Sequence, residues 1–388
     1  MLPANQEAPG RGPLSDEVIV VGGSAAGFYA AARVAQGGKR VRVLESKRGL
    51  EPAPRTLIVT SHFRNQLGAS AKESILNEIR RFELFTDGRS AQVALSRPDL
   101  IIERAKLIPG LAREAQESGA QVSFDTRFLG LSPNANGIRV QVESGGQREE
   151  LHAESVVGAD GAASRVARTG GWAPIETVPL VQAIVRLPKD CPVDTTRVWF
   201  VPDDTPYFYW LIPESAERAA LGVIGEDGRD TARCLARFLE KKGMEPLEWQ
   251  GARIPVYRRW VPVKRRVGKG NVYLVGDAAA QVKVSTVGGI VTGFRGAQGV
   301  AESILRGGGR ELLALRRELS THWLLRRTMH YFEQKDYSQL VDLLNAATRN
   351  TLSEITRDES TRLLWNVLRR QPQLILLGLR GLLLGWNK

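Results

Sequence analysis

The chain has 388 residues, 43% hydrophobic and 25% charged, the composition of a globular protein with room for two or three packed lobes, not of a disordered or fibrous chain. Its net charge of +12 suits an acidic partner such as an anionic cofactor or membrane surface, whereas no recognised motif or aromatic-interleaved basic stripe points to nucleic acid. Two cysteines, Cys191 and Cys234, without CxxC spacing fit a reducing, cytoplasmic setting and exclude a cysteine-built zinc or iron–sulfur centre, and the four histidines are too scattered to suggest a metal site.

Residues 1–15 are rich in proline and glycine, lack an apolar run, and read as a flexible leader and not as a signal peptide. A β-branched run at 18–21 then predicts a buried parallel strand, followed by the turn GGSAAG, a small-residue helix over 28–36, a stop at Gly37 and Gly38, and a strand at 41–44 ending on Glu45. This is one βαβ unit of the dinucleotide-binding kind. Gly22 permits the tight turn, Gly23 follows it, Ala25 and Ala26 let the helix N-terminus approach a pyrophosphate, and Gly27 lets helix pack on strand. Glu45, followed by Ser46, stands about twenty residues after the turn, where a carboxylate accepts from an adenosine ribose. Ser24 replaces the middle glycine of G-x-G-x-x-G, giving up room beside the phosphate and adding a hydroxyl donor.

A proline-rich loop carries the chain past Arg55 and Thr56, where this architecture returns to the nucleotide, and a short strand is expected at 57–59. Residues 66–82 read as a mixed-charge helix, 98–118 as a helix broken or kinked at Pro109, and 121–124 as a strand. A hairpin or meander runs through 137–157, and strands rich in aromatics fill 180–262 with one helix at 231–242, predicting an antiparallel sheet. The stretch 271–305 returns to buried strand, turn and Gly/Ala-rich helix, and the remainder is helical and basic. The expected fold class is α/β: a Rossmann-like nucleotide-binding domain (16–175 and 268–310) interleaved with an antiparallel-sheet substrate domain (176–267 with part of 52–97), plus a helical C-terminal region (311–388).

The blocks VVGGSAAG, VVGADGAASRVAR and YLVGDAAAQVKVSTVGGI, in this order across 16–305, resemble the flavoprotein superfamily of aromatic hydroxylases, flavin-dependent halogenases and geranylgeranyl reductases. The resemblance implies FAD as cofactor. It implies that Asp160 helps hold the turn around the pyrophosphate and that Asp277, after Gly276, bonds a ribityl hydroxyl. It further implies that Val287, Gly288, Gly289 and Ile290 bring a helix N-terminus to the flavin ring, that Arg104 contacts flavin, and that Phe128 lies near the adenine. Within the superfamily the chain is most similar to the geranylgeranyl reductase family, whose third block typically runs GDAAGQVKPTTGGGI. That family's Y-x-W-x-F-P strand, which lines a substrate tunnel, has its counterpart in Phe208, Trp210, Ile212 and Pro213, followed by Gly222 and Gly225. F-x-W-x-I-P also approaches the W-x-W-x-I-P of halogenases, and the PAPRT loop lacks the cysteine that many family members place near the flavin.

The activity implied is reduction of isoprenoid double bonds of a prenyl lipid, prenyl diphosphate or prenyl quinone by hydride from flavin N5. The substrate is accordingly an apolar isoprenoid or other hydrophobic small molecule, and the reductant, NAD(P)H or a protein electron donor, binds transiently. No catalytic dyad or triad is evident. The alternatives are an FAD monooxygenase or halogenase, the latter needing a lysine such as Lys283, and a non-enzymatic prenyl-binding protein, which Ser24 would favour. Residues 362–388 carry five basic residues and no acid around an apolar run interrupted by Pro372 and Arg380, too short to span a bilayer; with Trp365 and Trp386 they suit contact with an anionic membrane surface at its inner face, the alternative being a core helix pair packed on the substrate lobe whose arginines snorkel.

Overall fold

The computed structural model describes residues 16–384. Among these, two eight-stranded sheets carry the fold. In the first, the central order is Lys264–Val267, Gly270–Leu274, Gln147–Gly158, Asp16–Val21, Val41–Leu44 and Gln121–Ser123. All neighbours in this row are parallel except the first pair, and the meander Thr126–Asn134 and Gly137–Ser144 runs antiparallel onto Gln147–Gly158. A parallel sheet must be covered on both faces, and Ile19 and Val20 are accordingly fully buried. The helices Ala25–Gln36 and Ile290–Arg306 cover one face, Tyr29 stacking on Phe294 with ring centres 4.2 Å apart.

The second sheet runs Glu248–Pro255, Thr177–Arg186, Arg218–Ile224, Tyr209–Pro213, Thr195–Trp199, Ile75–Thr86, Arg89–Glu103 and Thr56–Val59. It is antiparallel save for one parallel pair, Thr195–Trp199 beside Ile75–Thr86. The helix expected at 66–82 is not formed. Two short turns, Ser61–Gln66 and Ala69–Lys72, precede the long hairpin Ile75–Thr86 and Arg89–Glu103. The pattern is better satisfied at period two, with Ile79 buried and Arg80 exposed, and Asp87 with Gly88 (φ +73°) supplies the tight turn. This hairpin also takes residues 98–103, so the next helix is only Arg104–Glu117. Glu103 caps it, Oε1 accepting from Ala105 N at 2.8 Å, and Pro109 lies inside without ending it.

The C-terminal region is helical throughout: Arg310–Met329, Gln334–Asp342, Ala346–Glu354, Ser360–Arg370 and Gln373–Leu384, with Pro372 separating the last two. Arg380 turns inward, Nη1 lying 2.9 Å from Oδ1 of the buried Asp336. No helix among the described residues is long and apolar enough to cross a membrane. The leader at 1–15 and Trp386 lie outside the described residues.

Candidate active site

The three glycine-rich blocks converge at the C-terminal ends of the parallel strands. At Gly22 (φ +107°) a side chain would press on Ala159 O at 2.6 Å, so the first turn lies directly against the second block. A Cβ on Gly276 would lie 3.0 Å from the Ala26 methyl, and one on Gly293 3.5 Å from it, so the third block meets the first at the helix start. Glu45 reaches back to the turn, its Oε2 accepting from Gly23 N at 2.8 Å while Oε1 takes Lys47 N at 2.9 Å and the Ser46 hydroxyl at 3.3 Å.

Two predicted residues have more local duties than expected. Ser24 is the N-cap of Ala25–Gln36, its hydroxyl oxygen accepting from Gly27 N at 3.2 Å, which leaves its proton free to donate. Asp160 lies in the turn that abuts Gly22, but its carboxylate caps the short helix Arg165–Thr169, accepting from Ser164 Oγ at 2.5 Å, Arg165 N at 2.7 Å and Val166 N at 3.1 Å. Phe128 is buried in the core with Leu44 and Val142, and its carbonyl accepts from Arg165 Nη1 at 3.1 Å.

Asp277 follows the strand Gly270–Leu274 in a tight turn that Gln281 pins, Oε1 accepting from Gly276 N at 2.7 Å. Its side chain is half-buried and, among the described residues, makes no hydrogen bond. Burial raises its pKa, while Arg55 and Arg104 pull it back down. Burial correspondingly lowers Arg55, whose Nε is enclosed without a partner, and Arg104 beside it adds to the effect. These two are held by their loop: Arg55 N donates to Glu103 Oε1 at 2.9 Å, Arg104 N to Arg55 O at 3.1 Å, and Arg104 Nη1 to Ala53 O at 3.1 Å. Thr56, buried next to them, donates its hydroxyl to Glu214. Gly289 is the N-cap of Ile290–Arg306, and a Cβ there would lie 3.6 Å from Asp277 Oδ1, so the helix start and the carboxylate share one place. An unsatisfied carboxylate, two arginines and open backbone amides are a fitting donor and acceptor set for a ribityl diphosphate.

Alongside this cleft lies a cavity of about 390 Å³, walled by Thr56–Val59, the turn from Lys283 through Gly288 to Val291, and the second sheet. Phe208, Trp210 and Ile212 all line it. An aromatic row, Trp210, Phe208, Phe200 and Tyr337, runs along it with successive ring centres 6.0, 6.4 and 4.6 Å apart, and Phe332 packs behind Tyr337 at 5.5 Å. Trp210 pairs across the ladder with Gly222, where any Cβ would collide with the indole, and this explains the glycine after the aromatic strand. The Trp210 Nε1 is buried with no partner.

The polar residues of the wall are tied to one another. Lys283 Nζ donates to Asp358 Oδ1, Thr60 donates to Asp358 Oδ2, and Arg357 Nη2 lies 2.5 Å from Asp99 Oδ2. Against the upward push of burial, Lys283 and Thr60 hold Asp358 down at about 2. For Asp99 burial prevails and raises its value in spite of Arg357. His322 Nδ1 lies 2.6 Å from Ser285 Oγ, and burial pushes its pKa to about 3, so it is neutral near pH 7. The turn itself is strained: Ala280 and Val287 adopt φ +50° and +55°, although neither is glycine. Glu103, Gln281 and Asp358 position this site and were not singled out from the sequence. Glu103 and Gln281 stand beside motif residues, but Asp358 has no local signal.

A glycine-turned βαβ unit ending in a carboxylate, with an aspartate and a helix N-terminus brought to its mouth and an apolar cavity alongside, defines the class of FAD-dependent oxidoreductases. The family model described as "FAD binding domain" matches residues 15–306, so the chain belongs to that family and its cofactor is FAD. Over 297 residues the chain is 29% identical to digeranylgeranylglycerophospholipid reductase 2 of Methanopyrus kandleri, covering 71% of this chain and 73% of that one. The fold matches a geranylgeranyl bacteriochlorophyll reductase-like protein of Thermoplasma acidophilum with a TM-score of 0.77 at 18% identity, covering 93% of this chain and 98% of that one. It also matches p-nitrophenol 4-monooxygenase of Pseudomonas putida with a TM-score of 0.67 at 15% identity, covering 94% and 98%. Likeness at these identities establishes the fold alone.

Proposed function

We propose that this flavoprotein reduces isoprenoid carbon–carbon double bonds of a prenyl lipid, prenyl diphosphate or prenyl quinone. The observation that carries this reading is the apolar cavity that adjoins the Gly288–Gly289 turn and is lined by Phe208, Trp210 and Ile212. The reductase named among its relatives supports the same substrate class. FAD, when bound and reduced, supplies hydride. The chain's own part is to hold the tail: the aromatic row gives an unreactive wall, and the carboxylates Asp99 and Asp358 are satisfied by Arg357 and Lys283, so neither meets the tail as an unpaired charge. The electron source in this reading is NAD(P)H or a protein donor that binds transiently. The halogenase alternative needs a lysine free to face substrate, and Lys283 is fastened to Asp358. Ser24, which would favour a flavin-free prenyl binder, acts as a helix cap.

The same reading includes contact with an anionic membrane surface at the C-terminus. Ile375, Leu376, Leu379 and Leu383 are exposed along one side of Gln373–Leu384, and Trp365 is exposed between Arg362 and Arg369. Arg380, committed to Asp336, does not join this face. Replacing Leu376 and Leu379 by Ser, or Arg362 and Arg369 by Glu, is expected to lower sedimentation with anionic liposomes; unchanged sedimentation refutes the contact.

The reaction is tested with chemically reduced protein kept free of oxygen. A geranylgeranyl lipid is expected to gain one hydrogen molecule per double bond by mass spectrometry, and Trp210→Ala is expected to slow this while flavin stays bound. A product formed only in air, carrying oxygen or halogen, overturns the reading.

A further inference from the structure

One cation on the cavity wall has no part in the arrangement described so far. Arg326 lies within the helix Arg310–Met329, lines the cavity and is only 8% exposed. Its guanidinium carbon is 4.0 Å from the centre of the Tyr207 ring. Nη2 donates to Pro206 O at 2.6 Å and lies 3.2 Å from His330 Nδ1, while Nε is buried with no partner. Among the described residues no carboxylate lies within ion-pairing distance of it; the acid nearest in influence, Glu226, is 3.8 Å from His330 Nε2.

This sets Arg326 apart from its neighbours. Lys283 and Arg357, the other enclosed cations of the wall, each hold a carboxylate, and Arg97 is exposed to solvent. A guanidinium does not escape burial by losing its proton, because it stays charged under all ordinary conditions. Stripping water from such an ion is costly, and a ring face returns only part of that cost. Two neutral acceptors add to that, but no full negative charge faces the ion. Burial accordingly pulls its pKa below the usual arginine range, with Tyr207, Tyr337 and Glu226 only partly opposing. Arg326 stands one helical turn before Met329, which packs with Phe200 and Tyr337 at the end of the aromatic row away from Trp210.

We infer that Arg326 receives the phosphate group at the polar end of the prenyl substrate, an assignment that rests on the proposed reduction of isoprenoid tails. A phosphate presents oxygens at the spacing of the guanidinium fork and supplies the missing negative charge. The group is either the diphosphate of a free prenyl diphosphate or the phosphate of a glycerophospholipid. A prenyl quinone or alcohol cannot fill this place.

The test compares three probes on the FAD-loaded protein: geranylgeranyl diphosphate, digeranylgeranylglyceryl phosphate and geranylgeraniol. Binding is followed by tryptophan fluorescence and calorimetry, and reduction by mass spectrometry. Wild type is expected to bind a phosphate-bearing probe more tightly than the alcohol. Arg326→Gln is expected to weaken that probe roughly 10- to 100-fold, the loss of a hydrogen-bonded charge, while leaving geranylgeraniol unchanged, and Arg326→Lys is expected to restore part of the difference. Which phosphate probe responds identifies the source. Equal binding of alcohol and phosphate by the wild type overturns the assignment without need of any variant, and so does an equal loss of all three probes in Arg326→Gln. Reduction of tails without a phosphate preference leaves the reductase reading intact, whereas phosphate preference without any reduction overturns that reading and keeps this site.

Discussion

The enclosed pair Lys283 and Asp358 offers a quantitative test of how the cavity wall is held together. Their side chains are 6% and 5% exposed, and among the described residues the only other hydrogen bond to the Asp358 side chain comes from Thr60. Lys283→Met leaves a carboxylate without its cation, and Asp358→Leu leaves an ammonium without its anion; each is expected to cost about 3–5 kcal/mol. The double replacement removes both charges and leaves only the Thr60 hydroxyl unpaired, a loss of about 1–3 kcal/mol. It is therefore expected to be more stable than either single variant. The sign of the pH dependence follows from the same pair. Asp358 is depressed from 3.8 to about 2, so its charged form is favoured by roughly 2 kcal/mol. That contribution is fully present above about pH 4 and is lost as pH falls through about 2. The assay is urea denaturation of FAD-loaded protein at pH 7 and at intervals down to pH 3, read by far-UV circular dichroism. If the single losses simply add in the double variant, or if all three variants match wild type, the pair does not act as a buried unit and the account of the wall is wrong.

Asp277→Ala removes an acceptor with no side-chain partner of its own, and Gly22→Val puts a branched side chain into Ala159; both are expected to purify with little FAD by absorbance, while Cys191→Ala, buried in the second sheet's core, keeps it. At Val287, Gly is expected to be more stable than Ala by roughly 1 kcal/mol in denaturant titrations, the reverse of the order in a helix, because only the φ of +55° is being relieved. Gly222→Ala is expected to displace the Trp210 ring and lower turnover of a prenyl substrate several-fold while FAD absorbance stays intact.

The nucleotide unit was legible because its determinants are local: the β-branched run, the glycine turn, the small helix and Glu45 all lie within thirty-odd residues, and they form as expected. The hairpin at Ile75–Glu103 was not, because Glu78, Arg80, Arg81 and Glu83 imitate a charged helix and only the Asp87 and Gly88 turn reveals the alternation. Ser24 was legible as a departure from the glycine pattern, yet its role as a cap depends on a backbone angle that a motif does not state. Lys283 stood out as a lysine beside the flavin blocks, but its partner lies 75 residues onward, in a helical region whose placement no periodicity announces. The aromatic strand was found through Trp210, while Phe200 and Tyr337 became part of the same wall only by packing.

The cavity's last wall, residues 352–357, and the acid that secures it at Asp358 come late in the chain, whereas the stretch matched by the FAD-binding family model is complete by Arg306. On a ribosome, the amino-terminal portions fold first. A nascent chain is therefore expected to form its glycine-turned βαβ unit while Lys283 and Asp99 still await their partners. A chain truncated before residue 352 is expected to leave the apolar lining of that cavity uncovered. Such a truncation is expected to keep FAD absorbance while sedimenting as aggregate, and a monomeric, flavin-loaded product refutes this consequence.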